Sequence, residues 1–213
     1  MLKKDLNYQE KNWIGKFGNE YTIRNKINKK VIVDSEEMFI KIFQKLKKHN
    51  FKKILEVGCN QGRNLIALKN ISKAELFAVE PNKLSRESLL KNRIIKEDNI
   101  KDSLATKLPF RDNNFDLVFT SVVLIHVPEN KIKKAIKEIF RVSKNYVLAI
   151  EYFSPETNVI KYRGKKNLLF KRDYGSIYMD SFKNIKLIDY GFFWKRVSGQ
   201  DNVNWWLFKK TKI

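Results

Sequence analysis

Apolar positions recur along this chain in two periods. Short solid runs at Lys53 to Val57, Ala74 to Val79, Phe115 to Thr120 and Asn145 to Glu151 have the length of buried strands. Between them the spacing turns helical: Leu65, Ile66 and Leu68 share one face, and so do Ile132, Ala135, Ile136 and Ile139 within Pro128 to Val142. Residues Asn82 to Asn92 read as a further helix, and Ile94 to Lys96 as a weak third strand. Beyond an irregular stretch from Tyr152 to Leu169, a helix over 174–182 precedes two final strands near 185–194 and 203–210. Alternating strands and helices predict an α/β fold with crossover helices, here a seven-stranded, mostly parallel, doubly wound sheet with an antiparallel C-terminal strand.

Before the first strand, Asp34-Ser35-Glu36-Glu37 carries the spacing of a capping box and predicts a helix start ahead of Phe39, Ile42, Phe43 and Leu46. His49 and Asn50 read as its stop signal. Upstream, Trp13, Phe17 and Tyr21 recur every four residues, which predicts a helix with an aromatic stripe. The expected organisation is a helical extension or lid over 1–33 on a single domain over 34–213.

Composition narrows the function classes. The 213 residues carry a net charge of +21, with 35 Lys against 9 Arg, 21 Asn and 22 Ile. Arg supplies bidentate contacts to phosphates and bases, so a Lys-heavy excess without any run longer than two is a blunt nucleic-acid signal. Charge of this kind also attracts an anionic small substrate. A single cysteine, Cys59, excludes an internal disulfide and a Cys-rich metal site. The longest apolar run, Leu117 to Val127, is 11 residues, against about 20 for a membrane span. Met1 to Asn7 lacks the apolar core of a signal peptide. The expectation is a soluble cytoplasmic protein without a membrane span.

Candidate chemistry concentrates where the first strand meets its helix, in Glu56-Val57-Gly58-Cys59-Asn60-Gln61-Gly62-Arg63-Asn64. In open α/β sheets ligands bind at the carboxyl ends of the strands. Gly58 permits a sharp turn there, and Gly62 lets the helix begin beside an anionic group. A dinucleotide fingerprint needs G-x-G-x-x-G, but Asn60 and Arg63 stand at its second and third glycines. Glu80, ending the second strand, can accept bonds from ribose hydroxyls.

E-x-G-x-N-x-G resembles motif I of the class I S-adenosylmethionine-dependent methyltransferases, with Asn60 in place of the middle glycine. Leu108-Pro109-Phe110-Arg111-Asp112-Asn113-Asn114-Phe115-Asp116 resembles the stretch leading into that superfamily's fourth strand, and Val123-Leu124-Ile125-His126-Val127 the segment after it. The resemblance implies a Rossmann-like fold and S-adenosylmethionine as cofactor. It places Glu56, Gly58, Asn60, Gly62, Asn64, Glu80, Pro81, Ser103, Leu104 and Thr120 at the cofactor, with Ser103 and Leu104 against the adenine.

The flanks are similar to a narrower group. Trp13 to Asn25, Glu151-Tyr152-Phe153-Ser154-Pro155, Tyr162-Arg163-Gly164 and Leu169 to Tyr174 resemble the pseudaminic-acid-biosynthesis-associated methylases. That resemblance implies a small anionic acceptor, a nonulosonic acid or related sugar or sugar nucleotide, methylated on oxygen or nitrogen.

His126 is the expected catalytic group, as general base or as orienter of the acceptor, with a structural loop histidine as the bland alternative. Tyr21 and Arg24 are expected to meet the cofactor carboxylate or an anionic substrate, Arg24 through its fork. Trp13, Tyr21, Asn25, Tyr152, Tyr162, Arg163, Lys171 and Arg172 are the expected substrate contacts. An RNA methyltransferase, suggested by the charge, and a non-catalytic cofactor-binding protein are the competing readings.

Overall fold

The computed structural model describes residues 6–46 and 50–211. Helices α1 (Tyr8–Ile14), α2 (Lys16–Arg24) and α3 (Lys29–Phe43) come first, followed by β1 (Lys53–Val57), α4 (Arg63–Ile71), β2 (Glu75–Val79) and α5 (Lys83–Lys91). The chain continues through β3 (Ile100–Lys101), β4 (Phe115–Ser121), α6 (Glu129–Val142) and β5 (Ser143–Glu151). A hairpin of β6 (Asn158–Tyr162) and β7 (Lys165–Lys171) leads to α7 (Tyr174–Ser181), β8 (Ile185–Phe193), α8 (Lys195–Ser198) and β9 (Val203–Lys210).

Seven strands form one sheet in the order β3-β2-β1-β4-β5-β9-β8, parallel except for β9, which runs antiparallel to both neighbours. The strand period of two fills both faces. Ile54, Leu117, Phe119, Leu148 and Leu207 pack with Met38 and Phe39 of α3 and Leu65 and Leu68 of α4. Leu55, Val118, Val147 and Phe208 pack with Ile132, Ile136 and Ile139 of α6 and Tyr174 and Tyr178 of α7. Strand order reverses between β1 and β4, which opens a crevice at their carboxyl ends.

Four expectations are corrected. The first long helix starts at Lys29, not beyond Asp34, because Asn28 caps it by accepting the Val31 N–H (3.0 Å). Asp34 lies inside that helix and pairs with Lys30 one turn back, and Ser35 donates to the Val31 carbonyl. Helix α3 therefore runs unbroken across residues 33 and 34. His49, read as part of its stop signal, lies outside the described residues.

The third strand is Ile100–Lys101, which pairs with Ala78 and Val79, and not Ile94 to Lys96. Ile94 and Ile95 instead pack on the core beside Leu89. The stretch read as irregular holds the β6–β7 hairpin, closed by a two-residue turn with Arg163 at φ +46° and Gly164 at φ +79°. Two consecutive left-handed residues are what a tight hairpin turn requires.

The N-terminal stripe is split over two helices rather than one. They break at Gly15, whose N–H still bonds the Lys11 carbonyl (3.1 Å). Trp13 then sits edge-on to both Phe17 and Tyr21, with ring centroids 5.2 Å from each. Close approach depends on Gly18, where a Cβ would fall 1.8 Å from the Trp13 carbonyl oxygen. Gly18→Ala is expected to cost about 2 kcal/mol, roughly 4–8 °C in a thermal melt.

Candidate functional site

The turn between β1 and α4 has left-handed backbone at Gly58 (φ +79°), Asn60 (φ +46°) and Gly62 (φ +80°). At Gly62 a Cβ would also fall 2.4 Å from Leu89 Cδ2, so α4 begins pressed against α5. Asn60 tolerates its conformation as asparagine often does. Its side chain turns out of the turn, donating to the hydroxyls of Thr22 (3.2 Å) and Ser85 (3.3 Å). The neighbouring Gln61 amide donates to the carbonyls of Thr22 and Asn25 (2.8 Å to Asn25). The glycine-rich turn is thus fastened to α2, which roofs it.

Glu80 closes the turn from β2. Its carboxylate accepts the Asn60 N–H (2.7 Å) and the Asn82 N–H (2.8 Å). Burial pushes its pKa up to about 7 against the pull of those two bonds. Glu56 is buried deeper. It accepts from the Asn64 amide (2.7 Å), and burial raises its pKa to about 8. One Glu56 oxygen and the Asn64 side-chain oxygen have no partner although both are buried. Both residues line the cavity, so these two unpaired oxygens lie beside the space a ligand would fill.

These groups line a cavity of about 320 Å³ at the strand tips, roofed by Trp13 and Tyr21 and walled by Leu104, Val123 and His126. His126 ends a 3-10 turn, Leu124–His126, that follows β4. Its Nδ1 lies 2.6 Å from the Leu168 carbonyl. A carbonyl only accepts, so Nδ1 carries the proton and Nε2 keeps a free lone pair. Burial lowers the His126 pKa to about 4. The ring stands against Trp13, with centroids 4.2 Å apart.

Of the residues expected at the cofactor, Glu56, Gly58, Asn60, Asn64, Glu80, Pro81, Ser103 and Leu104 lie on the cavity wall. The Ser103 hydroxyl is engaged by the Lys107 carbonyl, which shapes the 103–107 loop. Gly62 sits behind the wall as the N-cap of α4. Thr120 is fully buried beneath the floor, next to Glu151, and does not reach the cavity. Trp13, Tyr21 and Asn25 join the wall.

The remaining expected contacts are placed elsewhere. Arg24 is exposed, lies over the Tyr21 ring (5.6 Å) and reaches the Glu20 carbonyl, so its fork points away from the cavity. Arg172 is only 2% exposed. Its guanidinium bonds Glu129 (3.1 Å) and the Val127 carbonyl (3.0 Å), because a rigid fork can satisfy both at the start of α6. It braces the hairpin and is not free for a substrate. Arg163 lies over the Tyr162 ring at the hairpin tip, away from the cavity wall. Tyr162 packs behind the wall on Phe17 and His126. Tyr152 donates to Asp201 (3.0 Å), with Lys171 over its ring. Asp201, on the wall, carried no signal in the sequence.

Arg63 was not among the residues expected at the site. It opens α4, lines the cavity, and makes no side-chain bond among the described residues. Burial raises the pKa of both Tyr21 and Glu56, and the Arg63 charge is close enough to oppose that rise at each. The available signal was its place one residue after Gly62, at a helix N-terminus that already favours anions. Arg63→Gln is expected to weaken S-adenosylhomocysteine binding about tenfold, whereas Arg24→Gln leaves it within twofold; calorimetric titration separates the two.

The strand order, the left-handed turn after β1 and the acid at the tip of β2 make up a Rossmann-like fold with its ligand crevice at the strand tips. Residues 55–149 match the family model described as a methyltransferase domain. An uncharacterized protein of Haemophilus influenzae is 35% identical over 97 residues, 44% of this chain and 39% of that one. An uncharacterized methyltransferase of Schizosaccharomyces pombe is 33% identical over 102 residues, 43% of this chain and 36% of that one. The chain thus spans under two fifths of the length of these relatives.

Among solved structures, a Leishmania major S-adenosylmethionine-dependent methyltransferase superposes with a TM-score of 0.72 at 15% identity, over 96% of this chain and 87% of that one. The Burkholderia thailandensis 1,6-didemethyltoxoflavin-N1-methyltransferase, solved with its acceptor and S-adenosylhomocysteine, gives 0.70 at 10% identity, over 99% and 94%. At these identities the likeness is one of fold.

Proposed function

We propose that this protein transfers a methyl group from S-adenosylmethionine to a small anionic acceptor, a nonulosonic acid or a related sugar or sugar nucleotide, on oxygen or nitrogen. The observation that carries the reading is a single roofed cavity that joins the glycine-rich turn to Trp13, Tyr21 and His126. Its side chains suit the cofactor. Glu80 offers remaining lone pairs to ribose hydroxyls, the orphaned oxygens of Glu56 and Asn64 suit an ammonium group, and Arg63 at the N-terminus of α4 suits a carboxylate. The cofactor supplies an electrophilic methyl on a sulfonium.

The chain's own contribution is alignment and exclusion of water. Trp13 and Tyr21 cover the cavity, which suits a reaction in which charge is dispersed. The bare Nε2 of His126 accepts a hydrogen bond from the acceptor's hydroxyl or amine. With its pKa near 4, this histidine is neutral throughout the physiological range and serves as an orienting acceptor before it serves as a base. Lys26, which has no side-chain partner among the described residues, stands at the mouth with Arg63. With Arg63 given to the cofactor carboxylate, Lys26 is the cation that supports an anionic acceptor.

Purified protein with S-adenosylmethionine and a panel of nonulosonic acids, free and nucleotide-linked, tests the reading. A mass gain of one methylene on an acidic sugar supports it. Methylation of neutral sugars alone would sink the anionic assignment.

Cofactor affinity should also follow pH. Glu56 and Glu80 accept bonds best when ionised, and burial places their pKa values at about 8 and about 7. Affinity for S-adenosylhomocysteine therefore rises as pH increases from 6 to about 8, by up to tenfold per unit below each pKa. Glu56→Gln should flatten the upper part of that titration.

A further inference from the structure

At the tip of β4 the backbone adopts a conformation that β-branched residues avoid: Val122 sits at φ +58°. Such a residue persists only where its surroundings over-determine it. Those surroundings are the end of β5. The Val122 N–H bonds the Ile150 carbonyl (2.8 Å). The carboxylate of Glu151, fully buried, then accepts three successive backbone N–H groups, from Val123 (3.0 Å), Leu124 (3.1 Å) and Ile125 (3.3 Å).

No lysine or arginine among the described residues forms an ion pair with Glu151. A buried carboxylate without a counter-charge is a poor device for stability, since a packed apolar side chain would serve better. What Glu151 does contact is the turn that builds the cavity. Val123, the first residue it holds, presses on the glycine-rich turn: a Cβ at Gly58 would fall 2.7 Å from Val123 Cγ2. Leu124 and Ile125, the next two, begin the 3-10 turn that ends in His126. The N–H groups that a helical turn leaves unpaired at its start are satisfied here by one side chain.

We propose that Glu151 is the positioning residue of this site: its carboxylate clamps the Val122 turn in its left-handed form, and so fixes both Val123 under the glycine-rich turn and the imidazole of His126 in the cavity wall. The functional meaning of the clamp rests on the role proposed for His126, so its test is read without turnover. Glu151→Gln is nearly isosteric, but its NH2 group must face at least one of the donating amides.

The experiment is hydrogen exchange by nuclear magnetic resonance on the full chain, together with the His126 Nδ1–H signal, with and without S-adenosylhomocysteine. In Glu151→Gln the amides of residues 123–125 should exchange at least tenfold faster and the His126 signal should shift or broaden, while β2 and β8 keep wild-type protection. Val122→Gly adopts the left-handed conformation without strain. Added to Glu151→Gln, it should restore the His126 signal and should fold even if the single variant does not, while the amide that faces the new NH2 group still exchanges fast. Unchanged exchange in Glu151→Gln overturns the proposal. So does loss of protection spread evenly over the sheet, or a double variant that recovers nothing. Normal turnover in His126→Ala would remove the histidine's role while leaving the clamp standing.

Discussion

Glu80→Gln is expected to lower affinity for S-adenosylhomocysteine about a hundredfold (~2.7 kcal/mol) and to move the melting temperature little. Glu80 performs two tasks with one carboxylate. It holds the backbone at Asn60 and Asn82, and its remaining lone pairs face the cavity. An amide keeps one oxygen, and because each Glu80 oxygen already accepts a backbone N–H, its NH2 group must face one of them and disturb the oxygens offered to the ribose. Each charge-assisted bond lost is worth about 1.5–3 kcal/mol, and two at the low end give the expected factor. The fold tolerates the change because burial already raises the Glu80 pKa to about 7, so a neutral side chain removes a desolvation cost while losing a bond. Calorimetric titration of both proteins decides it. Affinity within threefold of wild type would remove Glu80 from the cofactor site.

The second large effect is expected at His126. His126→Ala should reduce kcat by about a hundredfold or more, the lower end of what a positioned acid–base group contributes. Cofactor affinity should stay within threefold, because the proposed role of Nε2 is toward the acceptor and not the cofactor. The pH profile carries further information. A histidine of ordinary pKa would give an acidic limb near 6.5. Here burial places the pKa at about 4, so the neutral form persists as pH falls through 6 and kcat at saturating cofactor lacks that limb. The same sign holds for folding: the contribution of buried neutral His126 is present above about 6.5 and lost as pH falls toward 4.

Much of this molecule was legible in its sequence because parallel strands buried on both faces leave an unmistakable mark. The runs at 53–57, 115–120 and 145–151 could pack nowhere but the middle of a sheet, and they are its central strands. The turn between Gly58 and Gly62 was legible for a different reason, since left-handed backbone restricts the residues allowed. Glu80 was marked by its place at the end of the second apolar run, 24 residues after Glu56.

What escaped the sequence depends on contacts between distant segments. Strand β6 is exposed along most of its length, so Val159 and Ile160 give no core signal, and only the Arg163-Gly164 turn marks the hairpin. Arg172 looked like a substrate contact because it sits among aromatic and charged residues. Its partners Val127 and Glu129 lie over forty positions upstream, and only the fold reveals that it is a brace. Arg24 lies off the cavity wall and Arg63 on it, which the sequence hid for a similar reason. An exposed arginine at a helix end and one at the mouth of a cavity look alike until α2 is laid over the glycine-rich turn. The capping box at Asp34 failed locally: the acidic run was a helix interior, with the true cap six residues upstream at Asn28.

The central claim is that one roofed cavity brings the cofactor to a small acidic acceptor. Incubating the protein with methyl-labelled S-adenosylmethionine and a cell extract, separated into small-molecule and nucleic-acid fractions, tests it most directly. The account predicts label in acidic, nuclease-resistant small molecules, and little of it with His126→Ala. Label confined to nuclease-sensitive material would contradict the account and make the +21 charge the feature to explain.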